Sequence, residues 1–338
     1  MSIKLERFRL SPKLFAAEYI PEPGETVVQI PDGVTDISLR LFYKKKLQGV
    51  ILPDSVECIG ALAFYGCCHL TQITLPPFLR EIEDSAFAET GLKGIVIPDT
   101  VRKLESAFQS CEALETAVLP RSLKALEHGM FYHCKSLRSI SLPEHLETIG
   151  DGAFRNAGLQ TIYLPDTVRR IEESAFYDCK DLTEVRLPDG LQFIGKDAFR
   201  FTGLKTVRIP ESVRKICFHA FDKGVNVEIC TGGNTFIPLT LEDDWGFDEQ
   251  DQFVSVRNPQ DSEYAEHYSA LLKRAARQLT APKNQAKLIQ LAEDKRISPE
   301  LIAACIAQSA EQEILPLTAR LMDTLNSEFQ VNEKRFRL

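Results

Sequence analysis

"LPDTVRRIEESAFYDCKDLTEVR" (residues 164–186) is followed at once by "LPDGLQFIGKDAFRFTGLKTVR" (residues 187–208). Both phrases carry Leu-Pro at the front, Ala-Phe in the middle and a Leu three residues ahead of a Val. A phrase that recurs at a fixed period marks one structural unit stacked on copies of itself. Prolines that follow an Ile or Leu count the copies: Pro31, Pro53, Pro76, Pro98, Pro120, Pro143, Pro165, Pro188 and Pro210, spaced by 22 or 23 residues. Eleven residues after each stands Phe42, Phe64, Phe87, Phe131, Phe154, Phe176, Phe199 or Phe221, while Phe108 is only ten after Pro98 because "KLESAF" lacks one residue. There are nine units.

Within a unit such as "LTEVRLP" (residues 182–188), Leu182, Val185 and Leu187 point one way and Thr183, Glu184 and Arg186 elsewhere, which predicts a short strand with one buried face. Pro188 then ends it, since proline cannot donate to a sheet ladder. Acids after the prolines (Asp32, Asp54, Asp99, Glu144, Asp166, Asp189, Glu211) suit a turn in which a carboxylate accepts backbone N–H groups. Val168, Leu191 and Val213, then Ile171, Ile194 and Ile216, form further columns of like residues. One unit of this length cannot bury so much apolar surface alone; neighbours cover each other's faces, and the phenylalanines are expected to form a ladder through the core.

Written as [IL]-P-x-x-[VL]-x-x-[IL]-x-x-x-A-F-x-x-[CT]-x-x-L-x-x-[IV]-x, the pattern resembles the BspA-type leucine-rich repeat over about residues 27 to 230. The resemblance implies a right-handed solenoid with a parallel sheet on one face and turns, strands or short helical pieces on the other. It implies recognition or adhesion rather than catalysis. Many relatives are exported bacterial surface proteins, whereas "MSIKLERFRLSPKLFAAEYI" shows no apolar run of signal-peptide length. The expected address is therefore cytoplasmic, or the cell surface if a leader was trimmed.

The 338 residues are 44% apolar and 26% charged, a soluble and foldable composition. A formal charge of -8 argues against a general nucleic-acid binder, and no stretch approaches the length of a membrane span. Four of the nine cysteines, Cys67, Cys111, Cys134 and Cys179, fall three residues after the repeat Phe, where other units place Thr90, Ala157 or Thr202. That column asks for a small buried side chain, and a free Cys behaves as one. Cys111 and Cys134 are in adjacent units, near enough for a bridge on distance alone, but a cytosolic address argues against one. His69, His128, His133, His145, His219 and His267 are scattered without a catalytic or metal spacing and are read as exposed loop residues; no phosphate loop or nucleophile elbow occurs. The chain reads as a non-enzyme without cofactor or metal.

Residues 1–30 read as an N-terminal cap, with a first strand in "GETVVQIP", and residues 31–230 as the solenoid. "GVNVEIC" (residues 224–230) reads as a closing strand and "TFIPLTL" as one more edge. Residues 231–261 read as an acidic linker or closing segment: "EDDWGFDEQDQF" packs six acids around Trp245 but lacks the spacing of a calcium loop, and Trp245 and Phe247 are expected to dock on the solenoid end. Residues 262–330 change to helical periodicity, carried by Tyr264, Tyr268, Leu271, Leu272, Ala275 and Leu279, with Pro282 closing the first helix. Ser298 reads as N-cap and Pro299 as the first residue of a third helix; Pro316 is tolerable only near the start of a fourth. This all-α region is a cap or a second contact surface. Residues 331–338 are a basic tail.

Binding is expected on the outer face of the parallel sheet, where Ile51, Thr74, Val96, Val118, Ser141, Tyr163, Arg186 and Arg208 form one column and Lys93, Glu115, Arg138, Glu184 and Lys205 neighbour it. Val96 and Val118 make a small apolar patch, and Tyr and Arg are enriched at interface hot spots. β-propensity also fills outward strand positions with such residues. The candidate site is Val96, Val118, Arg138, Tyr163, Glu184, Arg186, Lys205 and Arg208, on a monomer that binds a protein or peptide. The alternative is an exported adhesin or glycan-binding protein.

Overall fold

The structure is a computed structural model, and it describes residues 8–10, 15–19, 24–217, 219–232, 234–241 and 262–329. Trp245, Phe247, the acidic stretch around them and the basic tail lie outside the described residues, as does the side chain of Tyr264. The described residues fall into two compact units, Met1–Pro188 with Phe193–Leu204 and His219–Phe221, and Asp189–Gln192 with Lys205–Phe218 and Asp222–Leu338.

The chain is a parallel-strand β-solenoid followed by a four-helix region. Strands form ahead of most of the Ile-Pro and Leu-Pro pairs, whereas no strand precedes Pro76 and only a bridge at Ser141 precedes Pro143. Val27–Gln29 pairs with Gly49–Ile51, Gly94–Val96 with Thr116–Val118, Thr161–Tyr163 with Glu184–Arg186, and Thr206–Ile209 with Asn226–Gly232, all parallel. The exposed-buried-exposed pattern of Thr116–Val118 follows from alternating Cβ directions. After the strand, the proline carbonyl accepts from the N–H three residues on, as in Val168 N to Pro165 O at 3.0 Å and Val213 N to Pro210 O at 3.1 Å, which closes a β-turn. Asp99 caps in the expected way but across units, accepting from the N–H of Arg121 at 2.8 Å.

A second parallel ladder runs through two-residue strands after that turn. Phe15–Tyr19, Asp36–Ile37, Cys58–Ile59, Glu81–Ile82 and Lys103–Leu104 pair in that order, and so do Ala125–Leu126, Thr148–Ile149, Arg170–Ile171 and Phe193–Ile194. The core lies between the two ladders and the Ala-Phe turns. The nine repeat phenylalanines are all buried and stack with centroids 5.0–5.9 Å apart and planes within 1–13° of parallel. Strand spacing is about 4.8 Å, so parallel rings at these separations are offset, the arrangement the ring quadrupole favours.

In the second unit Asn226–Gly232 also pairs antiparallel with Thr235–Thr240, the edge expected from "TFIPLTL". Four helices follow: α1 (Ser262–Thr280), α2 (Gln285–Glu293), α3 (Pro299–Glu311) and α4 (Leu315–Phe329). Ser298 caps α3 by accepting from the N–H of Leu301, with Pro299 in the first turn, and Pro316 sits at the start of α4, where its missing N–H costs no helical bond. Leu271, Ala275, Leu279, Leu288, Leu301, Ile302, Cys305 and Leu321 are buried among these helices. None of the described helices is long and apolar enough to cross a membrane.

Candidate functional site

Ile51, Val96, Val118 and Tyr163 hold the same outward strand position in their repeats and are exposed by 54%, 65%, 54% and 59%. Val96 and Val118 are direct neighbours in register, as are Tyr163 and Arg186. Val118 is bridged to Ser141 of the next turn, which lies between the two pairs. The Tyr163 hydroxyl donates to Glu184 Oε1 at 3.4 Å. Arg138 is exposed and donates to Asp181 Oδ2 at 2.8 Å, a carboxylate two turns further along. In the second unit Lys205 is exposed, while Arg208 stands beside Glu228 in register and donates through Nε to Cys230 Sγ at 3.0 Å. The column is thus apolar at Val96 and Val118 and amphipathic at Tyr163 and Arg186, whereas Arg138 and Arg208 are already engaged.

Cys67, Cys111, Cys134 and Cys179 are fully buried, as a packing column requires. Each thiol donates to the carbonyl of the preceding turn's phenylalanine: Cys67 to Phe42 at 3.1 Å, Cys111 to Phe87 at 3.0 Å, Cys134 to Phe108 at 3.3 Å and Cys179 to Phe154 at 2.9 Å. Where threonine replaces cysteine, Thr90 and Thr202 donate instead to the phenylalanine of their own turn. All nine cysteines are free. Burial pushes Cys67 and Cys179 up to about 12 and Cys111 to about 11, so these thiols stay protonated; a protonated, enclosed thiol is inert. In native protein at mildly alkaline pH, a thiol reagent will modify exposed Cys68 first, and the four column cysteines only after denaturant is added. Peptide mapping checks this, and native modification of Cys134 at the rate of Cys68 would refute the packing assignment.

Two features escaped the sequence pattern. Ligand atoms of Cys58, Glu81 and Glu83 lie within 4.8 Å of one another, because Cys58 and Glu81 are register neighbours in the second ladder. Partial burial, then Glu83, Asp36 and Glu81, raise the Cys58 thiol to about 12, and Glu83 accepts from the N–H of Ala61 at 3.0 Å. The group is therefore tied into the turn rather than poised as a thiolate. The second feature is the position after the core phenylalanine: Tyr43 and Tyr65 stack at 5.2 Å, and Arg155 covers the ring of Tyr177 at 4.6 Å. Among the histidines, His69, His128 and His145 are exposed, but His133 is half-buried with Nε2 3.3 Å from Glu112 and His219 is half-buried with Nδ1 3.6 Å from Asp197.

Two parallel ladders, a phenylalanine stack and a leucine-rich period define a solenoid of the leucine-rich-repeat class. The chain belongs to the BspA type leucine rich repeat region family, which matches residues 25–111 and 104–228 in six copies. Similar solved structures include a leucine-rich repeat protein from Bacteroides ovatus, 24% identical over 66% of this chain and 85% of that one, with a TM-score of 0.38. A leucine rich cell surface protein from Faecalibacterium prausnitzii is 25% identical over 64% of this chain and 84% of that one, with a TM-score of 0.43. The leucine rich repeat protein of T. pallidum is 30% identical over 59% of this chain and 88% of that one, with a TM-score of 0.41. No curated protein matches.

Proposed function

We propose that the outward strand column binds a protein or peptide partner without catalysis, through Val96 and Val118 as an apolar anchor and Tyr163 with Arg186 as an amphipathic one. The observation that carries this is that Val96, Val118 and Tyr163, at the same outward strand position of their repeats, are each more than half exposed. Such residues suit any strand, but exposed together they leave apolar area that a partner can cover. A glycan site needs open ring faces in a row. On this column Tyr163 stands alone, and Tyr43, Tyr65 and Tyr177 have ring faces covered by each other or by Arg155, which favours a protein partner.

The test is affinity capture from native lysate with the unaltered chain beside a Val96→Glu/Val118→Glu/Tyr163→Ala variant whose melting is unchanged. Hot-spot truncations cost about 2 kcal/mol each or more, so the triple variant is expected to lose a partner that the unaltered chain retains. Equal retention by both, or by neither, removes the assignment.

A further inference from the structure

The second unit contains a cleft of about 920 Å³ between the end of strand Thr235–Thr240 and helix α1. Its wall carries Lys223, Lys273, Arg274, Arg277 and Lys283 and, among the described residues, no aspartate or glutamate. In a chain of formal charge -8, five cations around one hollow are a concentration of charge, not an average of the surface. Lys223, Lys273, Arg277 and Lys283 make no ion pair with any described residue. The hollow is built, not incidental. Gln278 clamps α1 to the strand end through both amide atoms, accepting from Thr240 N–H at 2.9 Å and donating to Thr240 O at 2.7 Å. That clamp fixes the helix rotation, so Lys273 and Arg277, four residues apart on one helix face, border the same opening.

We infer that this cleft binds an acidic peptide segment, its carboxylates laid along the line of Lys273 and Arg277 and flanked by Lys223 and Lys283. The donors are exposed side chains spread over a helical turn and beyond. A compact phosphate site instead gathers backbone N–H groups at a helix N-terminus or nest, and the side opened here is the last part of α1. A single-stranded nucleic acid is bound with aromatic platforms for its bases, and the described wall contains no aromatic residue. Carboxylates on a flexible backbone match both the spread and the sign of the charge.

The experiment is fluorescence anisotropy of a fluorescein-labelled polyglutamate peptide with the full chain at low ionic strength. Lys273→Glu/Arg277→Glu is expected to weaken binding at least about tenfold, and added salt to weaken it steeply, as for exposed charges within a Debye length. The control is Lys44→Glu/Lys46→Glu, which alters a cationic run elsewhere in the chain and is expected to leave binding unchanged. Absence of binding, or equal loss in both variants, overturns the proposal. So does tighter binding of oligothymidylate than of polyglutamate. The residues after Leu241 include Glu242, Asp243 and Asp244, and if the peptide binds only once the carboxylates of residues 242–251 are replaced by amides, the chain's own acidic segment is the occupant and the external one is wrong. Lys273 and Arg277 are exposed, and an unchanged melting curve separates lost binding from lost fold.

Discussion

Phe131→Ala will destabilise the chain by about 3–5 kcal/mol, the range for removing a buried aromatic ring, and a substitution of this kind takes up a large part of a typical domain's stability. The ring is fully buried and sandwiched between Phe108 at 5.9 Å and Phe154 at 5.6 Å. Truncation therefore strips contact from two neighbouring turns as well as its own. Collapse into the void is opposed by the backbone, because Phe131 N donates to Ala153 O at 2.8 Å and Tyr132 O accepts from Ser110 N at 2.7 Å, which hold this turn at its spacing on both sides. Phe131→Leu retains most of the volume and is expected to cost about 1.5 kcal/mol, the upper range for a volume-conserving swap. Urea unfolding measures both. If alanine costs no more than leucine, the stack is not what supports the middle of the solenoid. Because each core ring stacks only on the rings of the adjacent turns, a hole in the middle is also expected to split one transition into two.

The same stack was legible in the sequence because a ladder of identical residues needs only a period, and Phe, Pro and the small Cys column each repeat at that period. The outward column was legible for a related reason: alternation along Thr161–Tyr163 or Gly94–Val96 fixes which side chains face solvent. The second ladder was not, since strands of two residues, such as Lys103–Leu104, offer no alternation to recognise. Partners across turns were hidden too. Nothing near Arg138 in the chain announces Asp181, and the bond from Arg208 to Cys230 exists only because a strand register brings the two side by side. The cationic cleft depends on the rotation of α1 against a strand end, which Gln278 sets and hydrophobic periodicity leaves open.

A glycine column was present in the letters and carries the second large effect: Gly158→Ala will cost about 3 kcal/mol. Each shorter turn ending in Thr-Gly-Leu or Ala-Gly-Leu follows one ending in Cys-x-x-Leu, with Gly91, Gly158 and Gly203 at the shortened place. There the chain passes directly over the carbonyl of the turn before. A Cβ on Gly158 would lie 2.0 Å from Lys135 O and 2.8 Å from its carbonyl carbon; on Gly91 it would lie 2.2 Å from Cys68 O. These are backbone atoms, so no rotamer change relieves the clash. Gly158 N also donates to Cys134 O at 3.1 Å, and separating the turns to admit a methyl group lengthens that bond. Overpacking of this kind costs about 1–3 kcal/mol and more where the backbone must move. Gly152 is the control, with the opposite combination: its φ is +58°, but a Cβ there meets nothing closer than 3.8 Å. Other turns place Leu62 and Ser174 at that position with φ of 56° and 54°, so side chains are accommodated and Gly152→Ala pays only the left-handed penalty of about 1 kcal/mol. Chemical denaturation of the two variants ranks them. A larger loss for Gly152→Ala than for Gly158→Ala would mean that conformation, not the close approach of successive turns, selects glycine in this solenoid.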